Sequence, residues 1–261
     1  MSRRLVRSRS SSKNISRPLK KQRLQYVFEN ADPTTVARLR SLSSPGALAW
    51  FRATPSCPHT TFTNALWKEA VNFARDAPLD GRLTVCLCGH DLSSDASNSH
   101  FFSCVKFKRT LVTNRHDAIT KLIVNQCNAV GLLSIAEAHT SDLGSNKRPD
   151  GIIYFQTPHY FDTTVRHSGS PSYIRQGLSP EALLLTAEAS KFQKHGGIAA
   201  QEGASFAAVA LESYGQRGEE LDKLVTKICK QDETMNSLRA LTSSPAAYKY
   251  DLVAKISPGE R

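Results

Sequence analysis

The alternation of helix and strand patterns after about residue 110 is the feature that most constrains the fold. Apolar residues first follow helical spacing, at Ile119, Leu122, Ile123 and Val130. Three segments rich in β-branched and aromatic residues come next and are typical of strands; they span 132–140, 148–155 and 160–167. A helical pattern, a short apolar run and an amphipathic pattern then occupy 179–197, 205–213 and 218–231. This order predicts an α/β fold with a mixed sheet that carries helices on both faces.

Two of the predicted helices have recognisable ends. Asn114 and Asp117 have the spacing of a capping pair at the start of the first helix. Ser179 is placed to cap the second helix and Pro180 to occupy its first turn, while Gly196 predicts its end. These signals bound the second helix clearly.

Positive charge is concentrated at the N-terminus. The chain carries +11 at pH 7, and residues 1–23 contain nine basic residues and no acidic one, which leaves +2 (11 − 9) for the remainder. A Ser/Arg-rich segment with few large apolar residues cannot form its own core, so residues 1–30 are predicted to be a disordered tail. Such a tail attracts polyanions such as nucleic acid, although a solubilising tail or a nuclear import signal fits the same composition.

Changes in residue pattern divide the rest of the chain into four parts. A helical linker is predicted over 31–80, with Thr63 capping one helix, a Cys/His segment over 81–109, an α/β domain over 110–235 and a C-terminal tail over 236–261. The sequence has no apolar run of the roughly 20 residues that a membrane span requires. Six cysteines in 261 residues do not suggest a disulfide framework. We therefore expect an intracellular, soluble protein.

Three cysteines and a histidine cluster ahead of the α/β domain, at Cys86, Cys88, His100 and Cys104. Thiolates and an imidazole form the four-ligand set that tetrahedral Zn²⁺ prefers, and a set supplied entirely by protein is typical of a structural site. His90 is an alternative third ligand, but the spacing of His100 to Cys104 is helix-like. Unrelated thiols and a surface histidine are the simpler interpretation. The clustering favours a structural zinc site that organises a segment with little core of its own.

Two aspartates lie twelve positions apart on two of the strand candidates. Because side chains alternate along a strand, Asp150 and Asp162 share one face if the hairpin turns near Gln156. Neighbouring carboxylates repel unless a proton or a cation lies between them, and Mg²⁺ prefers oxygen ligands. Glu137 on the preceding strand is a candidate third ligand. Two solvated carboxylates fit the spacing as well, since Asp150 lies in a turn-like Pro-Asp-Gly sequence.

In their order along the chain, these motifs resemble the restriction-like endonuclease region at the C-terminal end of site-specific non-LTR retrotransposon proteins. The resemblance covers about residues 45–231. It rests on "GALAWFRATP", the Cys/His set as a CCHC zinc knuckle, the Arg-His-Asp sequence at 115–117, Glu137, and "RPD" followed by the "DTTV" at Asp162. It implies a PD-(D/E)xK nuclease fold, a restriction-endonuclease-like core preceded by a small helical and zinc-knuckle region.

The resemblance also implies catalytic roles. Asp150 and Asp162 would bind Mg²⁺ or Mn²⁺, Glu137 would assist, and His116 would act in the site or contact phosphate. The wider superfamily has a lysine two positions after the second acid, where this chain has Thr164.

In the retrotransposon group the basic residue comes from the next helix. Lys191 is the first candidate here and Lys194 the second. Helical spacing places Lys191 on one face with Glu188 and His195, and His195 occupies a position that tends to be aromatic in the family.

The resemblance implies a metal-dependent endonuclease that nicks target DNA in the nucleus and primes reverse transcription there. Its partners would be DNA, or RNA, and a reverse transcriptase region on the same or another chain. Two departures instead favour a nucleic-acid-binding module whose nuclease site has decayed. Thr164 stands where the wider superfamily has a lysine, and Ala138 stands where the family has a proline. The net charge of the chain after residue 23 is nearly neutral, which also leaves open a zinc-organised protein-interaction domain.

Overall fold

A run of helices precedes the alternating α/β part of the chain. The structure, a computed structural model, describes residues 11–52, 61–77, 84–92, 100–104, 106, 112–137 and 148–230. Within them the helices are α1 (Ser11–Asn30), α2 (Pro33–Ser43), α3 (Ala49–Arg52), α4 (Asn64–Arg75), α5 (His100–Ser103), α6 (Thr113–Ala129), α7 (Pro171–Arg175), α8 (Pro180–Gln201) and α9 (Glu219–Cys229). The strands are β1 (Ser134–Ala136), β2 (Gly151–Tyr154), β3 (Pro158–Arg166) and β4 (Ser205–Glu212).

The four strands form one mixed sheet in the order β1-β2-β3-β4. β1 and β2 pair antiparallel, as do β2 and β3, whereas β3 and β4 pair parallel and are joined by the crossover helix α8. Residues that face each other across β2 and β3 include Gly151 with Phe161 and Tyr154 with Pro158. The prediction of an α/β fold with a mixed sheet flanked by helices is confirmed.

Each face of the sheet packs against different helices. On one face α6 and α9 bury a large apolar cluster around Ile153, Phe161 and Val209. On the other face α8 covers Tyr160, Ala208 and their neighbours with residues such as Ala199 and Leu184. Burial of each large side chain of this kind contributes about 1.5–3 kcal/mol, so α8 is held firmly along β3 and β4.

The start of α8 is as predicted, but its end is not. Ser179 caps the helix, since its hydroxyl accepts the N–H of Ala182 at 3.2 Å. The helix does not stop at Gly196 and runs on to Gln201. Ala199 in the added turn is buried against the sheet, and Gly203 provides the left-handed backbone (φ +66°) that follows the helix end. Burial outweighs the intrinsic preference of glycine in this helix.

Two other predictions of local structure, the cap of α6 and the disordered N-terminal tail, differ from the structure. α6 begins at Thr113 after Val112, which makes no side-chain capping bond, so the expected Asn114–Asp117 capping pair does not form. Residues 11–30 of the predicted disordered tail lie in α1, a helix with several exposed Lys, Arg, Gln and Leu residues, which are good helix formers. Residues 1–10 and the predicted tail 236–261 lie outside the described part of the chain. Among the described helices, none is long and apolar enough to cross a membrane.

The carboxylate of Glu212 joins α2 to the ends of β3 and β4. This side chain at the end of β4 is fully buried. Its two oxygens accept hydrogen bonds from the hydroxyls of Ser41, Ser168 and Ser213 and from the N–H groups of Ser168 and Tyr214, at 2.5–2.9 Å. A buried carboxylate with this many donors is fully satisfied. The linker helix α2 is thereby fixed to β4 and, through Ser168, to the segment that follows β3.

Candidate functional site

The register of β2 and β3 brings Asp150 and Asp162 together. Asp150 lies immediately before β2, and continuing the pairing of Gly151 with Phe161 by one step sets it opposite Asp162. Its Oδ2 accepts the backbone N–H of Thr163 at 2.5 Å, which fixes the carboxylate at the surface of β3. Asp162 itself is 2% exposed. The hairpin therefore brings the two aspartates to one face of the sheet, as the strand period predicts.

The two carboxylates differ in their electrostatic surroundings. Burial and the neighbouring Asp150 raise the pKa of Asp162 to about 6, against the opposing effect of Lys191. Burial would also raise the pKa of Asp150, but hydrogen bonds from His116, Asp162 and the Thr163 N–H lower it below its ordinary value. A close pair with unequal proton affinities shares one proton or one cation between its members.

His116 completes a three-residue cluster from the first turn of α6. Its Nε2 lies 2.7 Å from Oδ2 of Asp150 and its Nδ1 lies 2.9 Å from Oδ1 of Asp117. The hydrogen bond with Asp150 raises the pKa of His116 to about 9, with a further contribution from Asp117 and against the effect of burial. Candidate ligand atoms of His116, Asp150 and Asp162 all lie within 4.8 Å of one another. The cluster is compatible with a bound metal ion.

Two residues of α8 approach Asp162 from the other side. Lys191 Nζ lies 2.7 Å from Oδ1 of Asp162, and His195 Nε2 lies 2.5 Å from Oδ2. Because residues four apart lie on one helix face, α8 presents both groups to the same carboxylate. Helical spacing predicts that His195 lies on this face of α8 but assigns it no role. Its i, i+4 spacing from Lys191 was the signal that could have assigned one.

Three other residues singled out from the sequence are placed elsewhere. Lys194 is exposed on α8, and the contact with Asp162 is made by Lys191. Glu137 is exposed and does not belong to the three-residue cluster, although its backbone N–H donates to the carbonyl of Asp150 at 2.7 Å. Glu188 turns away from Lys191, and its carboxylate accepts the N–H of Glu220 at the start of α9. It therefore satisfies a helix N-terminus.

A second cluster is formed by Cys86, Cys88, His100 and Cys104, whose ligand atoms all lie within 4.8 Å of one another. The sulphurs of Cys86 and Cys104 are 3.5 Å apart, and Cys88 Sγ lies 3.3 Å from His100 Nε2. Zinc bonds of about 2.3 Å to sulphur and 2.0 Å to nitrogen, at tetrahedral angles, would separate such pairs by about 3.8 and 3.5 Å. The spacing of the four atoms therefore suits one tetrahedral ion.

The backbone around this cluster has the form of a tight turn. The N–H of Cys86 donates to the carbonyl of His90, and the N–H of Gly89 donates to the carbonyl of Cys86, both at 2.8 Å. Gly89 has a φ of +87°, a conformation that glycine adopts readily. The ring of His90 stacks on that of His100 at 4.1 Å, outside the ligand set. Of the two histidines left open by the sequence, His100 is the one that joins the cysteines.

Comparison with known proteins adds no family assignment to this geometry. No protein-family model matches the chain, and no curated protein matches it.

Proposed function

We propose that the chain is a metal-dependent endonuclease that nicks DNA, with a PD-(D/E)xK core. The observation that carries the proposal is the meeting of Asp150, Asp162 and Lys191 where β2, β3 and α8 converge. Two adjacent carboxylates can hold a metal ion, and a lysine can stabilise developing negative charge, so the three groups together suit metal-assisted phosphodiester hydrolysis.

The carboxylate cluster suits a hard divalent cation. Asp150 and Asp162 supply the oxygen ligands that Mg²⁺ or Mn²⁺ prefers, and His116 supplies a nitrogen that Mn²⁺ accepts. Such an ion polarises a phosphodiester and makes a bound water more acidic. The shared cation would also relieve the repulsion that raises the pKa of Asp162.

The remaining polar groups have separate roles in this proposal. Lys191, which contacts Asp162, would neutralise negative charge that develops there during the reaction. His195, buried behind the same carboxylate, holds Asp162 in place. Lys194 is placed to contact the DNA backbone from the exposed face of α8.

The zinc site, the nucleic-acid contacts and the cellular context are also part of the proposal. Cys86, Cys88, His100 and Cys104 would hold a structural Zn²⁺, as in a CCHC knuckle, and the knuckle and the basic N-terminal segment would bind DNA, or RNA, through phosphates. Retrotransposon insertion in the nucleus, with a reverse transcriptase region on this or another chain, is the setting that the sequence resemblance suggests.

A decayed nucleic-acid-binding module is the second candidate. Lys191 already forms an ion pair with Asp162 without a metal ion, His195 contacts the same carboxylate, and Glu137 lies outside the cluster. In that case the ion pairs would only stabilise the fold.

Nicking of supercoiled plasmid in Mg²⁺ or Mn²⁺ distinguishes the nuclease from the decayed binding module. Asp150→Asn and Asp162→Asn should each abolish nicking and weaken Mn²⁺ binding, while Glu219→Gln on the exposed surface of α9 should behave as wild type. An inert wild-type protein that binds DNA as well as both aspartate variants do would favour the binding module.

A further inference from the structure

Four rings meet between the Cys/His cluster and the carboxylate cluster. They belong to Phe73 of α4, Phe102 of α5, His167 just after β3 and Tyr214 just after β4. Phe102 stacks on His167 with centroids 4.3 Å apart and an interplanar angle of 20°, and Phe73 contacts both Phe102 (5.5 Å) and Tyr214 (5.0 Å). We call these four residues the aromatic junction.

The position of Phe102 depends on the Cys/His cluster. Phe102 lies two residues after His100 and two residues before Cys104, so a candidate metal ligand stands on each side of it. The N–H of Cys104 donates to the carbonyl of His100 at 2.8 Å and closes the single turn of α5. A helix of one turn is not stable by itself. An ion bound by both flanking residues would therefore fix the ring.

The other side of Phe102 touches the elements that carry the carboxylate cluster. The guanidinium carbon of Arg115 lies 5.2 Å from the ring centroid, within the range of a cation–π contact, and Arg115 directly precedes His116. His167 follows the last residue of β3, the strand of Asp162. Arg115 and His167 are both buried. One ring thus supports the start of α6 and the end of β3 together.

We propose that Phe102 is a positioning residue through which zinc bound at the Cys/His cluster sets the geometry of the carboxylate cluster. This proposal rests on the nuclease function proposed above. Loss of zinc frees α5, the ring leaves Arg115 and His167, and His116 and Asp162 lose their alignment. A displacement of about 1 Å at a reacting centre lowers turnover by roughly 100-fold, so a small movement is sufficient.

A matched pair of variants isolates the ring. Phe102→Leu keeps an apolar, though smaller, side chain and removes stacking and the cation–π contact. Phe155→Leu is the control. Phe155 is also partly buried and has a cation over its ring, Lys227 Nζ at 4.1 Å, but neither Phe155 nor Lys227 is adjacent in the chain to a residue of the carboxylate cluster. Cys88→Ser and the double variant Cys88→Ser/Phe102→Leu complete a double-mutant cycle.

Each variant is measured in three ways. Co²⁺ absorption reports the Cys/His cluster, kcat and KM for plasmid nicking report catalysis, and the ¹H–¹⁵N shift of the Thr163 amide reports the carboxylate cluster without requiring activity. Thr163 is a suitable probe because its N–H donates to Asp150 Oδ2.

We expect Phe102→Leu to retain the Co²⁺ spectrum, to lower kcat about 10-fold at unchanged KM and to shift the Thr163 amide. Phe102→Tyr should restore kcat, and the double variant should be no worse than Cys88→Ser. The proposal is overturned if Phe102→Leu turns over DNA as Phe155→Leu does, or if the losses in the double variant multiply. If wild type does not nick DNA but zinc removal and Phe102→Leu shift the Thr163 amide alike, the nuclease proposal fails and the coupling stands.

Discussion

Lys191 and Asp162 are joined at 2.7 Å across the junction of α8 and β3, although 29 positions separate them in the chain. The side chain two positions after Asp162 is that of Thr164, which offers no positive charge. The parallel pairing of β3 with β4 requires α8 to cross the sheet, and this crossing brings Lys191 to the carboxylate. The lysine is therefore supplied by a neighbouring helix.

This placement predicts unequal roles for the two lysines of α8. Lys191→Ala should lower the nicking rate by about 100- to 1000-fold at saturating DNA, because charge stabilisation beside Asp162 is lost. Lys194→Ala should leave kcat within about twofold and raise KM, since Lys194 is exposed and contributes only phosphate contact. Plasmid nicking at several DNA concentrations separates the two constants. A larger kcat loss in Lys194→Ala than in Lys191→Ala would contradict the assignment.

The stability of the protein without added divalent cation should depend on the protonation of His116. The pKa of His116 is raised to about 9 in the fold, first by the hydrogen bond with Asp150, and returns to about 6.5 on unfolding. The folded state thus binds this proton more tightly. Its stabilising contribution is complete below pH 6.5 and is lost as the pH rises through 9.

Urea unfolding at pH 7 and pH 9 measures this contribution. The free energy of unfolding of wild type should fall by about 1–3 kcal/mol more than that of His116→Gln over this interval. Saturating Mn²⁺ should shrink the difference, because the cation competes with the imidazolium for Asp150. Identical pH dependence in wild type and variant would mean that the imidazole is not charged in the fold.

Zinc removal should destabilise the protein as well as empty the Cys/His cluster. Burial raises the pKa of the Cys86 thiol to about 11, so a cation is needed to hold this sulphur as a thiolate. A chelator should lower the Tm of wild type by several degrees and leave that of Cys88→Ser almost unchanged. Cys229→Ser, whose thiol lies outside the cluster, should respond to the chelator as wild type does.

The buried carboxylate of Glu212 should matter more for stability than any exposed one. Glu212→Gln replaces an acceptor of five hydrogen bonds with an amide that brings two donors toward other donors, and we expect a loss of about 2–4 kcal/mol. Ser41→Ala removes a single bond and should cost about 1 kcal/mol. Glu219→Gln, at a 66% exposed side chain, should change the free energy of unfolding by under about 0.5 kcal/mol. Thermal or urea unfolding ranks the three.

The sequence predicted what is determined locally. Element order followed from apolar periodicity, the starts of α4 and α8 from Thr63 and Ser179, and the shared face of Asp150 and Asp162 from the period of a strand. Several differences between the sequence-based prediction and the structure arise where contacts distant in the chain decide the outcome.

Burial of Ala199 carries α8 past Gly196. His195 contacts Asp162, as its i, i+4 spacing from Lys191 allows, whereas the partner of Glu188 at the start of α9 has no signal within α8. Long-range packing determines which polar groups of a helix meet which strand.

The parallel pairing of β3 and β4 also fixes when the site can be built as the chain is synthesised. β2 and β3 form a hairpin from neighbouring segments, but Lys191 and His195 reach Asp162 only when α8 has folded across the sheet. The strand that anchors the far end of α8 is β4, which ends at Glu212. The segments of the β2–β3 hairpin, which carries the two aspartates, are therefore synthesised before those of α8 and β4. Completion of this centre therefore requires that α8 has packed across the sheet.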